Sequence, residues 1–132
     1  MDKITVHIKA DVNPTESEEK VKKAIGNMFG SVDIRTEDTL NAKTLTAESK
    51  GLEALTKIYN ILRRERIRDA ARTALLHGLD RRSVSFCLNK QVAFAGHVSF
   101  SQEEAESPLG PIRVKIECDN PREVIHWLTS KE

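Results

Sequence analysis

Apolar and polar residues alternate along residues 3–12, and this two-residue period constrains the fold more than any other feature of the sequence. One side carries Ile4, Val6, Ile8, Ala10 and Val12, and the other carries Thr5, His7, Lys9 and Asp11. Successive side chains of a β-strand point to opposite faces of the sheet, so this period predicts a half-buried strand. A strand that is apolar on one side only is typical of a sheet with helices on one face and solvent on the other.

Three later segments repeat the alternation and predict three further strands. They are residues 83–88, residues 92–100 after a turn at 89–91, and residues 112–117. Phe94 and Phe100 fall on the apolar side of the second segment, so we expect both rings in the core. Small residues occupy the other side of the first two segments, namely Ser85, Cys87, Ala93, Ala95 and Ser99. We expect a helix of the same chain, or a second subunit, to pack on them.

Helical spacing of apolar residues predicts the first and last helices. The first stripe consists of Val21, Ala24, Ile25, Met28 and Phe29, and Gly30 ends it. At its start, Asn13 with Glu16 or Thr15 with Glu18 can form a capping box, and Pro14 suits a first helical position. Asn120 and Pro121 open a short final helix with the same chemistry.

Two helical stripes fall in the middle of the chain, and they are out of phase. The first runs from Leu52 to Leu62 and the second from Ile67 to Leu75, before Gly78. The five-residue step from Leu62 to Ile67 rotates the stripe by about 140° at 3.6 residues per turn. Either the helix breaks between Arg63 and Arg66, or the chain changes the partner on which it packs.

The order of the predicted elements is strand, helix, one or two strands, two helices, three strands and helix. This order predicts one α+β domain over residues 1–132, a two-layer sandwich with a mostly antiparallel or mixed sheet and helices on one face. Residues 31–36 and 40–48 are the short strands in doubt, and the pattern leaves the structure of residues 37–50 undefined.

Several functional classes are excluded by what the sequence lacks. No run approaches 18 apolar residues, so we expect no membrane partner. Cys87 and Cys118 are 31 positions apart, which favours free thiols in a reducing cytoplasm. The histidines lack metal-site spacing, and although His7 and His97 both fall on the polar side of their predicted strands, we expect no shared metal or catalytic role for them. We therefore expect no cofactor, no metal and no enzymatic activity.

A cluster of arginines is the most distinctive feature of the sequence. Seven of the ten arginines lie between Arg63 and Arg82, in a stretch with eight basic and three acidic residues over 57–82. Guanidinium groups bind phosphate or carboxylate in a two-pronged fork. The candidate nucleic-acid-binding residues are Arg63, Arg64, Arg66, Arg68, Arg72, Arg81 and Arg82, with Lys90 and Gln91 at the predicted turn. Arg64, Arg68 and Arg72 would line one face if the helix were continuous.

Three partners for these arginines are compatible with the sequence: the RNA backbone, carboxylates within the fold or an oligomer, and a small anion. Known base-reading motifs are missing, because there is no G-x-x-G loop, no zinc-finger spacing and no aromatic sheet face. RNA binding would therefore rest on backbone contacts to structured RNA. In the alternative, a homodimer or other homo-oligomer, the arginines would meet acidic groups such as Glu103, Glu104 and Glu106.

Four segments together resemble a family of small archaeal proteins of unassigned function that is grouped with RNA-binding proteins. The segments are VHI to NPTE in 6–16, IY to DAAR in 58–72, LNKQ to GH in 88–97, and ESPLGPI in 106–112. The resemblance implies a fold like that of the large-subunit ribosomal protein that binds 5S RNA, and an archaeal cytoplasmic protein. It brings no catalytic residues, and a shared fold does not by itself establish a function.

Overall fold

A single six-stranded antiparallel sheet organises the protein, and helices cover one of its faces. The computed structural model describes residues 3–39, 42–101 and 110–130. The strands are β1 (Thr5–Val12), β2 (Ile34–Thr39), β3 (Ala42–Lys50), β4 (Ser83–Leu88), β5 (Phe100–Ser101) and β6 (Ile112–Glu117). The helices are α1 (Glu18–Phe29), α2 (Thr56–Arg64), α3 (Arg68–His77), α4 (Lys90–Phe94) and α5 (Pro121–Thr129), with a 3-10 turn at Leu52–Leu55. The strand order is β2-β3-β1-β6-β4-β5. The predicted two-layer α+β fold is confirmed.

β1 lies inside the sheet and pairs with β3 on one edge and β6 on the other. Its even-numbered residues are buried and its odd-numbered residues are at least partly exposed, as the alternation predicts. The same alternation holds along β6, where Ile112, Val114 and Ile116 are buried. The buried side chains of both strands join the helices in one core cluster. The two central strands, β1 and β6, are therefore buried only on the face that packs against the helices.

Helix α1 begins later than the sequence pattern suggested. Its N-cap is Ser17, whose hydroxyl accepts a hydrogen bond from the Lys20 amide, so the predicted caps at Asn13 and Thr15 are wrong. Glu16 still contacts Asn13, but it does so within the loop before the helix. Gly30 ends the helix at φ 78°, a backbone conformation that glycine adopts at little cost. Gly78 follows the last residue of α3, and Asn120 caps α5, as expected.

The two middle stripes belong to separate helices. α2 ends at Arg64 and α3 begins at Arg68, with Arg66 between them at φ 56°. A left-handed residue reverses the chain direction and stops the α2 hydrogen-bond ladder. Of the two alternatives that the phase shift left open, the structure shows the break. Arg64, Arg68 and Arg72 therefore do not lie on one continuous helix.

Residues 89–101 differ from the predicted turn and long strand. The Asn89 side chain accepts a hydrogen bond from the Val92 amide and starts α4, and only two residues, Phe100 and Ser101, pair with β4. Phe94 is 37% exposed and is not a core residue. The local capping bond favours a helical turn where the period alone indicated a strand.

The predicted small-residue face is also wrong, because its members are distributed over two environments. Ser85 and Cys87 lie on the uncovered side of β4, whereas Ala93 is buried inside α4 against the helix layer. Ser85 and Cys87 line an open groove, together with the C-terminal end of α3.

A buried ion pair ties α4 to the loop before α1. The Lys90 Nζ lies 3.0 Å from the Glu16 Oε1, and the two side chains are 5% and 10% exposed. Lys90 also donates to the backbone carbonyl of Asp11, at the end of β1. The same Glu16 oxygen accepts hydrogen bonds from the backbone and side-chain nitrogens of Asn13. Residues 74 positions apart are thus joined by one satisfied charge pair.

We expect Lys90→Met to destabilise the protein by about 3–5 kcal/mol, because it leaves the Glu16 carboxylate buried without its cation. Urea unfolding measures the change. Lys115→Met, at an exposed position of β6, removes the same charge and should change stability by less than about 0.5 kcal/mol. A loss at Lys90 no larger than at Lys115 would contradict the structural role of the pair.

Candidate nucleic-acid interface

Arg63, at the end of α2, is bound to the C-terminal end of α5. Its guanidinium donates to the carbonyl oxygens of Trp127, Leu128 and Ser130 at 3.1–3.2 Å, and to the Ser130 hydroxyl at 3.0 Å. The last carbonyls of a helix have no partner within it and carry partial negative charge. Arg63 supplies both the donors and the positive charge that this helix end requires.

The aromatic side chains beside Arg63 hold its guanidinium in place. Its central carbon lies 3.4 Å from the centre of the Tyr59 ring, and the Tyr59 ring stacks on Trp127 with centroids 4.5 Å apart. A guanidinium over an aromatic face gains cation–π attraction as well as packing. The stack joins α2 to α5, so Arg63 stabilises the fold.

Arg68 contacts the same helix end. Its guanidinium donates to the Ser130 carbonyl at 3.0 Å, so Arg63 and Arg68 converge on one residue. Both side chains are half-buried, and the structure brings these two of the seven clustered arginines together. Sequence spacing could not reveal this because Ser130 is more than 60 positions away from either arginine.

Three arginines around the α2–α3 break are exposed. The Arg64 side chain is 64% exposed and donates to the Gly96 carbonyl at 3.3 Å and to Glu65 at 3.5 Å. Arg66 occupies the left-handed turn, and Arg72 lies one helical turn after Arg68. Within residues 3–39, 42–101 and 110–130, Arg66 and Arg72 have no ion pair. These side chains are open to an external anion.

The remaining predicted site residues fall elsewhere. Arg81 and Arg82 are exposed in the loop between α3 and β4, and Gln91 is exposed on α4. Lys90 is buried against Glu16, so it is not available to a ligand, and the predicted contact of Lys90 with RNA is wrong. The suggested oligomer partners Glu103, Glu104 and Glu106 lie outside the described residues, and the homodimer stays a prediction.

Glu65 and His97 link the α2–α3 break to the loop after α4. The His97 Nδ1 contacts the Glu65 Oε2, which also faces Arg64. The hydrogen bond from His97 is the main reason why the pKa of Glu65 is lowered, with a smaller contribution from Arg64 and partial opposition from burial. This contact positions the exposed end of α2.

The uncovered face of the sheet forms a second polar surface that the sequence did not reveal. It bounds an open groove of about 1330 Å³ that extends from β2 to β4. Lys9, Arg35, Arg113 and Lys115 line this groove. The alternation predicts Lys9 on the polar side of its strand, and the same period in residues 112–117 places Arg113 and Lys115 opposite the buried side chains of β6. Their proximity depends on the pairing of β1 with β6, which no local pattern specifies.

The two histidines that the sequence could place on one sheet face, His7 and His97, lie apart in the described part of the chain. His7 pairs with Glu117 at 2.6 Å and His97 contacts Glu65, so the two rings have different neighbours. Both cysteines are free thiols, and burial raises the pKa of Cys118. No group of three or more metal-ligating side chains occurs among these residues, nor a helix long and apolar enough to cross a membrane.

Comparison with known proteins gives consistent matches over nearly the whole chain. A family model described as RNA binding matches residues 5–118. A UPF0201 protein from Sulfurisphaera tokodaii is 46% identical over 124 residues, which cover 94% of this chain and 86% of that protein. A UPF0201 protein from Aeropyrum pernix is 42% identical over 129 residues, covering 96% and 85%.

Solved structures agree with the sequence matches. The crystal structure of a UPF0201 protein from Methanococcus jannaschii superposes with a TM-score of 0.85 at 33% identity, covering 97% of this chain and 94% of that one. A DUF54 protein from Methanothermobacter thermautotrophicus superposes with a TM-score of 0.63 at 18% identity, covering 98% and 100%. The second likeness concerns the fold alone.

We expect Arg63→Lys to lower the free energy of unfolding by about 2 kcal/mol, because an ammonium group cannot reproduce the forked contacts with the α5 carbonyls. Urea unfolding measures this loss. Arg72→Lys makes the same exchange at an exposed position and should have an effect below about 0.5 kcal/mol. Equal effects of the two substitutions would contradict the assignment of Arg63 to the fold.

The Glu65–His97 contact should make stability depend on pH in the acid range. A carboxylate whose pKa is lower in the folded state stabilises the protein above its unfolded pKa of about 4.3, and this contribution is lost as the pH falls through the folded pKa. Glu65→Gln should therefore be less stable than the wild type at about pH 5.5, with a smaller difference at about pH 2.5. Glu53→Gln, at an exposed position, is the control. A Glu65→Gln difference that is the same at both pH values would contradict the account.

Proposed function

The chain belongs to the UPF0201 family of archaeal proteins and matches a family model described as RNA binding, and on that basis we propose that the protein binds structured RNA through exposed arginines. The observation that carries the proposal is the extent of the family match, residues 5–118, which contains every clustered arginine. The proposed activity is binding without catalysis. The likeness to the ribosomal protein that binds 5S RNA remains a prediction.

Hydrogen bonds within the protein distinguish the arginines that stabilise the fold from the exposed ones. Arg63 and Arg68 are bound to the carbonyls of α5, and we assign them to the fold. The proposed RNA contacts are the exposed side chains around the break and in the following loop, namely Arg64, Arg66, Arg72, Arg81 and Arg82. Guanidinium groups bind phosphate oxygens through two parallel hydrogen bonds, and each such contact releases condensed counterions from the RNA.

The chemistry of these contacts favours recognition of the RNA backbone over recognition of bases. Proteins that read single-stranded RNA stack its bases on exposed aromatic rings. The exposed ring in the described chain is Phe94, which has Lys20 and Lys23 5.9 and 5.5 Å from its centre, on a different helix from the arginines. We therefore propose that paired RNA is preferred, and that its shape and phosphates supply the contacts.

The triple variant Arg64→Gln, Arg66→Gln, Arg72→Gln tests the proposal. We expect the wild type to bind an RNA hairpin with micromolar or tighter affinity at physiological salt. The slope of log K against log salt should fall in magnitude by about 2–3 in the variant, since each lost phosphate contact removes about 0.7–0.9. Fluorescence anisotropy of a labelled hairpin over a salt series gives both quantities.

The matched control is Lys20→Gln, Lys23→Gln, Lys43→Gln, which removes three exposed positive charges on or beside α1, away from the proposed RNA contacts. It should keep the slope of the wild type. Absence of measurable hairpin binding by the wild type would overturn the RNA proposal. Equal slopes in the wild type and the arginine variant would overturn the assignment of these three arginines.

A further inference from the structure

The open face of the sheet carries a row of basic side chains with a shape and charge suited to a polyanion. We propose that this face is a second RNA-binding surface, at which Lys9, Arg35 and Lys115 contact the sugar-phosphate backbone. The inference rests on the proposed function, because it gives the same RNA a second point of contact. It concerns different strands, different residues and a different surface from the arginines around the α2–α3 break.

The charge of the groove supports an anionic ligand. Five lysines and arginines line it, against two carboxylates, Asp33 and Glu48. This excess of three positive charges is larger than the net charge of the whole chain, which is +1. A concave surface lined by one sign of charge concentrates ligands of the opposite sign. The rest of the chain is correspondingly more acidic.

The strand register places the basic side chains at regular intervals across the sheet. Lys9 lies opposite Arg113 on β6 and opposite Thr46 on β3, and Thr46 in turn lies opposite Arg35 on β2. Because neighbouring strands are about 4.8 Å apart, the row from Arg35 to Arg113 spans roughly 14 Å. Lys115 pairs with His7 and lies two residues along β6 from Arg113. A surface of this width is suited to an extended chain of phosphates more than to one small anion.

The pairing of Lys9 with Arg113 has an energetic cost in the protein alone. Like charges directly opposite each other on neighbouring strands are destabilising. Arg113 is partly compensated by Asp11, 3.5 Å away. Lys9, Arg35 and Lys115 have no ion pair with any described residue. An external anion would relieve this repulsion.

Some of the other charged groups of this face are paired within the fold. His7 pairs with Glu117 at one end of the face, and Asp11 pairs with Arg113 towards the other end. Glu48 lies opposite His7, on the far side of it from Lys115. Among the described residues, Lys9, Arg35 and Lys115 form no ion pair, although the carboxylates of Asp33 and Glu48 line the same groove.

The aromatic rings that line the groove indicate which part of the RNA is bound. The two phenyl rings that line it, Phe86 and Phe100, contact each other edge to face with centroids 5.8 Å apart, and Phe86 is buried. Binding of single strands combines a basic groove with rings on which bases stack. Phe100 is half-buried and packed against Phe86, so neither phenyl ring of this groove is fully exposed, and the expected ligand is the backbone of paired RNA.

Three triple variants with the same change in net charge test the proposal. The sheet variant is Lys9→Gln, Arg35→Gln, Lys115→Gln, and it is compared with the arginine variant and the control variant defined above. The probe is the same labelled RNA hairpin, titrated over a salt series. We expect the sheet variant to weaken binding and to lower the magnitude of the salt slope by about 2–3, and the control variant to leave the slope unchanged.

The outcomes separate the inference from the proposed function. A wild-type slope in the sheet variant, with a lower slope in the arginine variant, would overturn the second surface and leave RNA binding intact. A lower slope in the sheet variant alone would support the second surface and reject the helix arginines. A wild type that does not bind the hairpin would reject both. If the sheet variant unfolds at lower urea than the wild type, the single substitution Lys115→Gln replaces it, with an expected slope change of about 0.7–0.9.

Discussion

Burial of the sheet on one face only is the constraint on which the rest of the structure depends. β1 lies between β3 and β6, and each of the three alternates between a core-facing and a solvent-facing residue. The antiparallel pairing brings the polar residues of all three strands to the same side. The helices bury the apolar side, so the polar side remains available to other molecules. The alternation that places apolar side chains in the core therefore also places polar side chains along the groove.

Within the helix layer, some positively charged side chains stabilise the fold and others remain at the surface. Arg63 and Arg68 neutralise the C-terminal end of α5, and Lys90 neutralises the buried carboxylate of Glu16. These groups are held by several partners and stabilise contacts between elements that are far apart in the chain. Arg66 and Arg72 have no such partners among the described residues and remain at the surface. A count of arginines along the sequence cannot separate the two groups, because the separation depends on tertiary contacts.

Local patterns predicted the parts of the fold that local interactions determine. The structure confirms the alternation along β1 and β6 and the stop at Gly30. The break after Arg64 is one of the two alternatives that the phase shift left open. The strand predicted for residues 92–100 is wrong because four apolar residues at even-numbered positions outweighed the single capping bond of Asn89, which starts α4.

Most of the candidate site could not be predicted from the sequence, because it depends on contacts between distant segments. The alternation placed Lys9 and Lys115 on polar faces, but only the pairing of β1 with β6 makes them neighbours. Likewise, the burial of Lys90 depends on Glu16, which is 74 positions away. Strand order and helix packing therefore decide which charged side chains lie together at the surface and which are buried in ion pairs.

The most direct test of the account is a map of backbone amide shifts in the isotope-labelled protein as an RNA hairpin is added. If exposed cations on the sheet and at the α2–α3 break contact RNA, the largest shifts should fall on β1, β6 and residues 64–72, with small changes along α1. Shifts restricted to α1 and α4, or no shifts at RNA concentrations far above that of the protein, would contradict it.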